Sequence, residues 1–275
     1  MRYKLLWLWI MAFVLFSCKK QGGPIDPQTP PMDSIATPLL LKEILIPLVP
    51  SPYYYFEYNA VGKPIFVSFA SGFNRYDIIY DGGRISEMRN NIVVNKDRLQ
   101  YTYDNKGRVS FIQYLDSAGV FYAESFFTYD LKKLVRIERF HKQAVGTVID
   151  REMTMQYGVD DNLASLTIYQ PPINGLPAST TIDMFEQYDN KVNVDGFGLL
   201  HPDFFEHFFL LPGVQLQKNN QGKLTRSGDG THYKIDYSYT YNNKNIPLVK
   251  NGKFQYLTGT SAGQVFHETT NYSFY

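Results

Sequence analysis

An all-β domain of antiparallel hairpins is what this sequence predicts, on three observations. Aromatic residues make up 16% of the chain, with 22 Tyr and 20 Phe against 2 Trp, and such rings favour the flat, half-buried surface of a strand. A Tyr followed by Asp or Asn, a short polar turn and then a basic residue recurs along most of the chain. Only one segment, near 202–211, spaces its apolar residues as a helix would. A meander of roughly twelve to sixteen strands curled into a barrel-like or half-barrel sheet follows, because twist accumulates in long sheets and exposed edges are hazardous.

The segment before the sheet is read first. Arg2 and Lys4 precede an apolar run from Leu5 to Phe16, too short for the roughly 20 residues of a spanning helix and therefore a secretory signal, residues 1–17. Leu15-Phe16-Ser17-Cys18 resembles the lipobox of lipoprotein signal peptidase, which makes Cys18 the expected lipid attachment site. Cys18 is the only cysteine, so no disulfide forms within the chain. Residues 18–38 hold Pro24, Pro27, Pro30, Pro31 and Pro38 and no aromatic ring. Such a stretch builds no core and reads as an extended tether. Net charge is +1, with no basic run longer than a pair such as Lys19-Lys20, which argues against a nucleic-acid partner.

Residues 39–275 are expected to form a single β domain of repeated hairpins. The clearest unit runs from Leu99 through Tyr103-Asp104 and Gly107-Arg108 to Ile112; others are Tyr58-Asn59 with Gly62-Lys63, Tyr80-Asp81 with Arg84, and Tyr129-Asp130 with Lys133. Weaker copies sit at Tyr157, Tyr188 and Tyr241. A spacing of 22 residues between Tyr58 and Tyr80 is two strands and two short connections, one hairpin per unit. Asp104 is placed to accept from backbone N–H groups two residues on, and Gly107 to supply positive φ. Asn245 takes the Gly107 position in the last copy.

The exception to the strand pattern is His201 to Leu211, closed by Pro212-Gly213. Phe204, Phe205, Phe208 and Leu211 share a stripe, so a short helix plugging one end or face of the sheet is predicted over 202–211. His201, Asp203 and His207 are the best-spaced metal donors, but His201 precedes the helix and zinc needs three or four convergent ligands; no metal or cofactor is assigned. Neither a nucleophile elbow nor a zincin or phosphate-loop motif occurs. Glu152, Asp160, Asp161 and Asp183 offer carboxylates of the kind glycosidases pair, as any domain of this size would. Regularly spaced rings such as Tyr101 and Tyr103 favour cross-strand ladders over sugar stacking.

The Tyr-Asp-x-x-Gly-Arg units resemble the tyrosine–aspartate repeats of Rhs-type wrapping proteins. With the lipobox, the Pro-rich tether and the block from Tyr188-Asp-Asn-Lys-Val-Asn193 through Gln217-Lys-Asn-Asn220 to Tyr239-Thr-Tyr241, the whole resembles a lipoprotein domain family of unknown function, common in Bacteroides-type bacteria and porin-like in fold. That resemblance implies a fold and no catalytic residues. The expected function is a non-enzymatic envelope lipoprotein, a binding or scaffolding module with a glycan or an envelope protein as the candidate ligand, and a secreted hydrolase of glycan or lipid is the competing class. Cys18 would hold it to the outer membrane. The absence of an acidic cluster after Cys18 favours the periplasmic face. The final strand alternates Ser273, Asn271 and Thr269 with Tyr272, Thr270 and Glu268. Neither face suits hydrocarbon, so the domain is expected to stand in water.

Overall fold

The computed structural model describes residues 39–92, 96–173, 175–194, 197–200 and 209–275. The signal segment, Cys18, the tether, and His201, Asp203 and His207 lie outside them. Eighteen strands are present among the described residues. The first seven are β1 (Leu41–Leu45), β2 (Tyr54–Tyr58), β3 (Pro64–Phe69), β4 (Asn74–Asp81), β5 (Arg84–Asn90), β6 (Arg98–Tyr103) and β7 (Val109–Leu115). There follow β8 (Phe121–Asp130), β9 (Lys133–Lys142), β10 (Thr147–Tyr157), β11 (Leu163–Gln170), β12 (Ser179–Glu186), β13 (Phe197–Leu200) and β14 (Phe209–Gln215). The last are β15 (Lys223–Gly228), β16 (Tyr233–Tyr241), β17 (Pro247–Tyr256) and β18 (Val265–Phe274).

Sixteen of them form a closed antiparallel barrel in which β1 pairs with β18 and β12 with β15; β13 and β14 make a separate two-stranded sheet. Closure removes the edges that a meander would otherwise expose. Inside and outside differ sharply in chemistry, as period-2 alternation requires. Met88, Leu99 and Ile112 face inward and are fully buried. On the outside of the same strands Glu87, Gln100, Gln113 and Glu124 follow one another as register partners across β5, β6, β7 and β8. Arg136 on β9 pairs outside with Glu138 at 3.0 Å and with Glu152 at 2.9 Å.

The turn chemistry is as the repeat implies. Asp104 Oδ1 accepts from the N–H of Lys106 and of Arg108, each at 2.9 Å, while Gly107 sits at φ +79°. In the last copy Asn242 accepts from Lys244 and Ile246, and Asn245 holds φ +59°. In each of six hairpins the ladder slips by one residue at the repeat tyrosine itself, at Tyr58, Tyr80, Tyr103, Tyr129, Tyr157 and Tyr241. Such a bulge bends the strand and re-aims the side chain it carries.

The helix expected over 202–211 is corrected in the part that is described: Phe209 to Leu211 begin β14, which pairs with β13. Residues 202–208 lie outside the described residues. A short apolar run reads equally as helix or as a strand buried on both faces, and here the surroundings decide. Leu210, Leu211 and Val214 join one core with Phe56, Ile85 and Val109 of the barrel wall, and the Tyr101 hydroxyl bonds the Leu210 backbone. From Phe209 on, the segment packs into the barrel core as a strand.

Candidate functional site

The repeat tyrosines lie at one rim of the barrel, and four consecutive ones donate their hydroxyls to the wall of the preceding hairpin. Tyr80 bonds the Pro64 carbonyl at 2.8 Å, Tyr103 that of Ile85 at 2.8 Å, Tyr129 that of Val109 at 2.9 Å and Tyr157 that of Leu134 at 2.8 Å. Every one of these acceptors directly follows the basic residue of its hairpin. That basic residue in turn covers the next ring: Lys63 lies 5.4 Å from the Tyr80 centroid, Arg84 5.3 Å from Tyr103, Arg108 4.5 Å from Tyr129 and Lys133 5.0 Å from Tyr157. Hydroxyl and cation thus bind each hairpin to its neighbour, which explains why the repeat needs both residues. Burial pushes the Tyr80 and Tyr129 hydroxyls up to about 12, keeping them as donors.

Both ends of the described domain reach this rim. Leu41 pairs with Phe274, Tyr58 donates to the Leu41 carbonyl at 2.8 Å, and Tyr275 to that of Phe56 at 2.9 Å. The excursion from β12 to β15 also starts there, and a clasp holds its base. Asp189 accepts from the N–H of Lys191 and of Asn220 and from the Tyr241 hydroxyl, while Asn162 Oδ1 accepts from Lys218 and Asn219.

Between rim and plug lies a cavity of about 730 Å³. Leu41, Phe56 and Ile85 wall it on the barrel side and Leu211 and Val214 on the plug side, while Lys63 and Arg84 border it. Lys63 Nζ donates to the Gly83 carbonyl at 2.8 Å. Among the described residues neither cation is ion-paired. Arg108 and Lys133, which cap the next two rings of the ladder, are paired: Arg108 with Asp104 and Lys133 with Asp161, both at 2.6 Å.

Away from this cavity, the barrel wall also carries buried charge. Arg139 Nε donates to Asp150 Oδ1 at 2.8 Å, and His141 Nδ1 lies 2.8 Å from Asp150 Oδ2. Burial opposes ionisation of Asp150, but His141 and Arg139 outweigh it and hold the carboxyl below its usual range. Asp183 is likewise paired with Arg226 at 2.7 and 2.6 Å. These groups compensate one another and read as a structural interior.

No protein-family model matches the chain, and no curated protein matches it by sequence. Among solved structures it is similar to a porin-like protein from Bacteroides uniformis, with 16% identity and a TM-score of 0.57 over 81% of this chain and 89% of that one. A porin-like protein from Bacteroides vulgatus is similar at 12% identity and TM-score 0.55, over 86% and 99%. The chain has the porin-like fold.

Within this porin-like barrel the candidate carboxylates do not converge. Glu152 is outside in the Arg136 cluster, and Asp183 is buried with Arg226. Asp160 and Asp161 sit in the β10–β11 turn, where Asp160 accepts from Asn162. Among the described residues no group of three or more His, Cys, Asp or Glu is arranged to hold a metal. What the residue pattern did not single out is the Lys63–Arg84 pair at the cavity. Only half of its signal was present in the turns: Asn59 stands where the fuller repeat has Asp104, whereas the Arg84 turn keeps its acid, Asp81.

Proposed function

We propose that the protein is a lipid-anchored, non-enzymatic binding module of the bacterial outer membrane, held through Cys18, with its ligand site in the rim cavity. One observation carries the binding reading: an apolar-walled cavity of about 730 Å³, within the roughly 300–1,000 Å³ typical of small-molecule sites, bordered by two cations that no carboxylate pairs among the described residues. The lipobox-like segment before Cys18 supports the anchor. The polar outer belt Glu87–Gln100–Gln113–Glu124 supports a barrel standing in water, since charge facing hydrocarbon at mid-depth costs a few kcal/mol per residue.

Fractionation of cells expressing the full chain and its Cys18→Ala variant tests the anchor. The wild type is expected in the outer-membrane fraction and labelled by a clickable fatty acid. The variant is expected to lose both the label and the membrane fraction. A variant that stays in the membrane overturns the lipoprotein reading.

A further inference from the structure

We infer that the rim cavity takes an acyl chain ending in an anionic head, with the chain against Leu41, Phe56, Ile85, Leu211 and Val214 and the head at Lys63 and Arg84. This rests on reading the cavity as the ligand site and names the ligand's chemistry. The walls are apolar on both sides, so an occupant that displaces water from them gains roughly 25 cal/mol per Å² of apolar surface covered. A sugar would set part of its hydroxyls against Leu41, Phe56, Ile85, Leu211 and Val214, which offer them no partner.

The head group follows from a contrast within the ladder. Four consecutive cations cap four consecutive tyrosines in the same way. Arg108 and Lys133 have carboxylate partners at 2.6 Å, whereas Lys63 and Arg84, the two that border the cavity, have none among the described residues. Capping a ring therefore does not account for where the charge is left unpaired. Lys63 is already fixed by the Gly83 carbonyl at 2.8 Å and the Tyr80 ring, and Arg84 by the Tyr103 ring. Two oriented cations beside an apolar hollow fit a carboxylate or phosphate on a hydrocarbon chain.

Leu39, Leu40 and Leu41, at the start of the described domain, add three more apolar side chains to the cavity lining. A free fatty acid and a membrane phospholipid both present the required chemistry.

Residues 39–275 contain all sixteen barrel strands and the core, so this fragment, refolded free of lipid, is the material to test. Calorimetric titration with decanoate is expected to show one site per chain, with decanol and acetate binding at least about tenfold more weakly, one charge-assisted contact's worth. The pair Lys63→Gln and Arg84→Gln is expected to weaken decanoate by about tenfold or more. The pair Arg108→Gln and Lys133→Gln, which removes the same ring caps away from the cavity, is expected to leave affinity unchanged. Val214→Trp is expected to fill the cavity and abolish binding. Flotation with phosphatidylglycerol vesicles separates the sources: co-flotation lost on Lys63→Gln/Arg84→Gln identifies a phospholipid, and decanoate binding without it a free acid. Decanol binding as tightly as decanoate overturns the anionic head while leaving a ligand cavity. No heat with either, from a fragment folded by circular dichroism, overturns the cavity reading as well.

Discussion

At Gly107 and Gly228 the backbone turns into the left-handed region, at φ +79° and +96°, and their neighbours set different penalties. A Cβ on Gly107 would lie 3.1 Å from the Arg84 guanidinium, a flexible end that yields; on Gly228 it would lie 2.2 Å from the Thr180 carbonyl oxygen, which is backbone. Gly107→Ala is therefore expected to cost about 1–2 kcal/mol, the backbone term alone, and Gly228→Ala clearly more, as read by urea denaturation. Equal costs would mean that the β12–β15 contact is looser than the close approach implies. The rim hydroxyls have a pH signature. Their ionisation is raised in the fold, to about 12 for Tyr80 and Tyr129, against 10.0 for a free tyrosine. A raised value stabilises fully below pH 10 and is lost as pH rises through the folded value. The melting temperature is expected to fall steeply above pH 10, with tyrosinate absorbance appearing together with loss of the circular dichroism. Absorbance that rises near pH 10 from an intact fold would contradict a buried ladder.

Among the elements, the hairpins were legible because their determinants are local. Asp104, Gly107 and the alternation of Leu99, Tyr101 and Tyr103 lie within a dozen residues, and local turn chemistry sets local structure. The plug was legible in position and not in type, because Phe209-Leu210-Leu211 satisfies a helix stripe and a doubly buried strand alike. The Arg139–Asp150–His141 group was not legible at all. It depends on the one-residue slip between Ile149 and Arg151, which no spacing along the chain reveals. The cavity falls between these cases: its cations belong to the repeat, but its walls meet only through the excursion between β12 and β15. That excursion should behave as an anchored unit. Leu211, 1% exposed, is expected to cost about 2–5 kcal/mol on truncation to Ala. Asp189→Ala, which takes the acceptor from the Asn220 N–H and from the Tyr241 O–H, is expected to cost about 1–3 kcal/mol. Hydrogen exchange checks the coupling: both variants should expose the amides of β14 before those of β6 and β7.

For the molecule as a whole, a sixteen-stranded barrel raises the question of what its outer surface meets. Porins of this strand number keep an apolar band outward and water inside. Here the assignment is reversed over much of the wall. Inward faces carry the fully buried Met88, Leu99, Ile112 and Ile137, while the outward partners at the same height are Glu87, Gln100, Gln113 and Glu124. The Arg136–Glu138–Glu152 cluster lies midway along β9 and β10. Against this stands an outer aromatic strip, Phe111 to Phe126 at 4.9 Å and Phe126 to Phe140 at 5.6 Å. It is confined to β7, β8 and β9 and has Glu124 and Glu138 as its register neighbours. A few rings contribute about 2 kcal/mol each on entering lipid. Glu87, Glu124, Glu138, Glu152 and Arg136 would each cost a comparable amount or more at mid-depth, and no continuous apolar band offsets them around the rest of the wall. Residues 39–275 are therefore expected to stay monodisperse in buffer without detergent. They should remain at the bottom of a flotation gradient with neutral phosphatidylcholine vesicles, whereas the full chain, acylated at Cys18, should float. A fragment that floats with neutral vesicles, or that holds its fold only in micelles, would place the barrel in the bilayer and overturn this reading of its outer face.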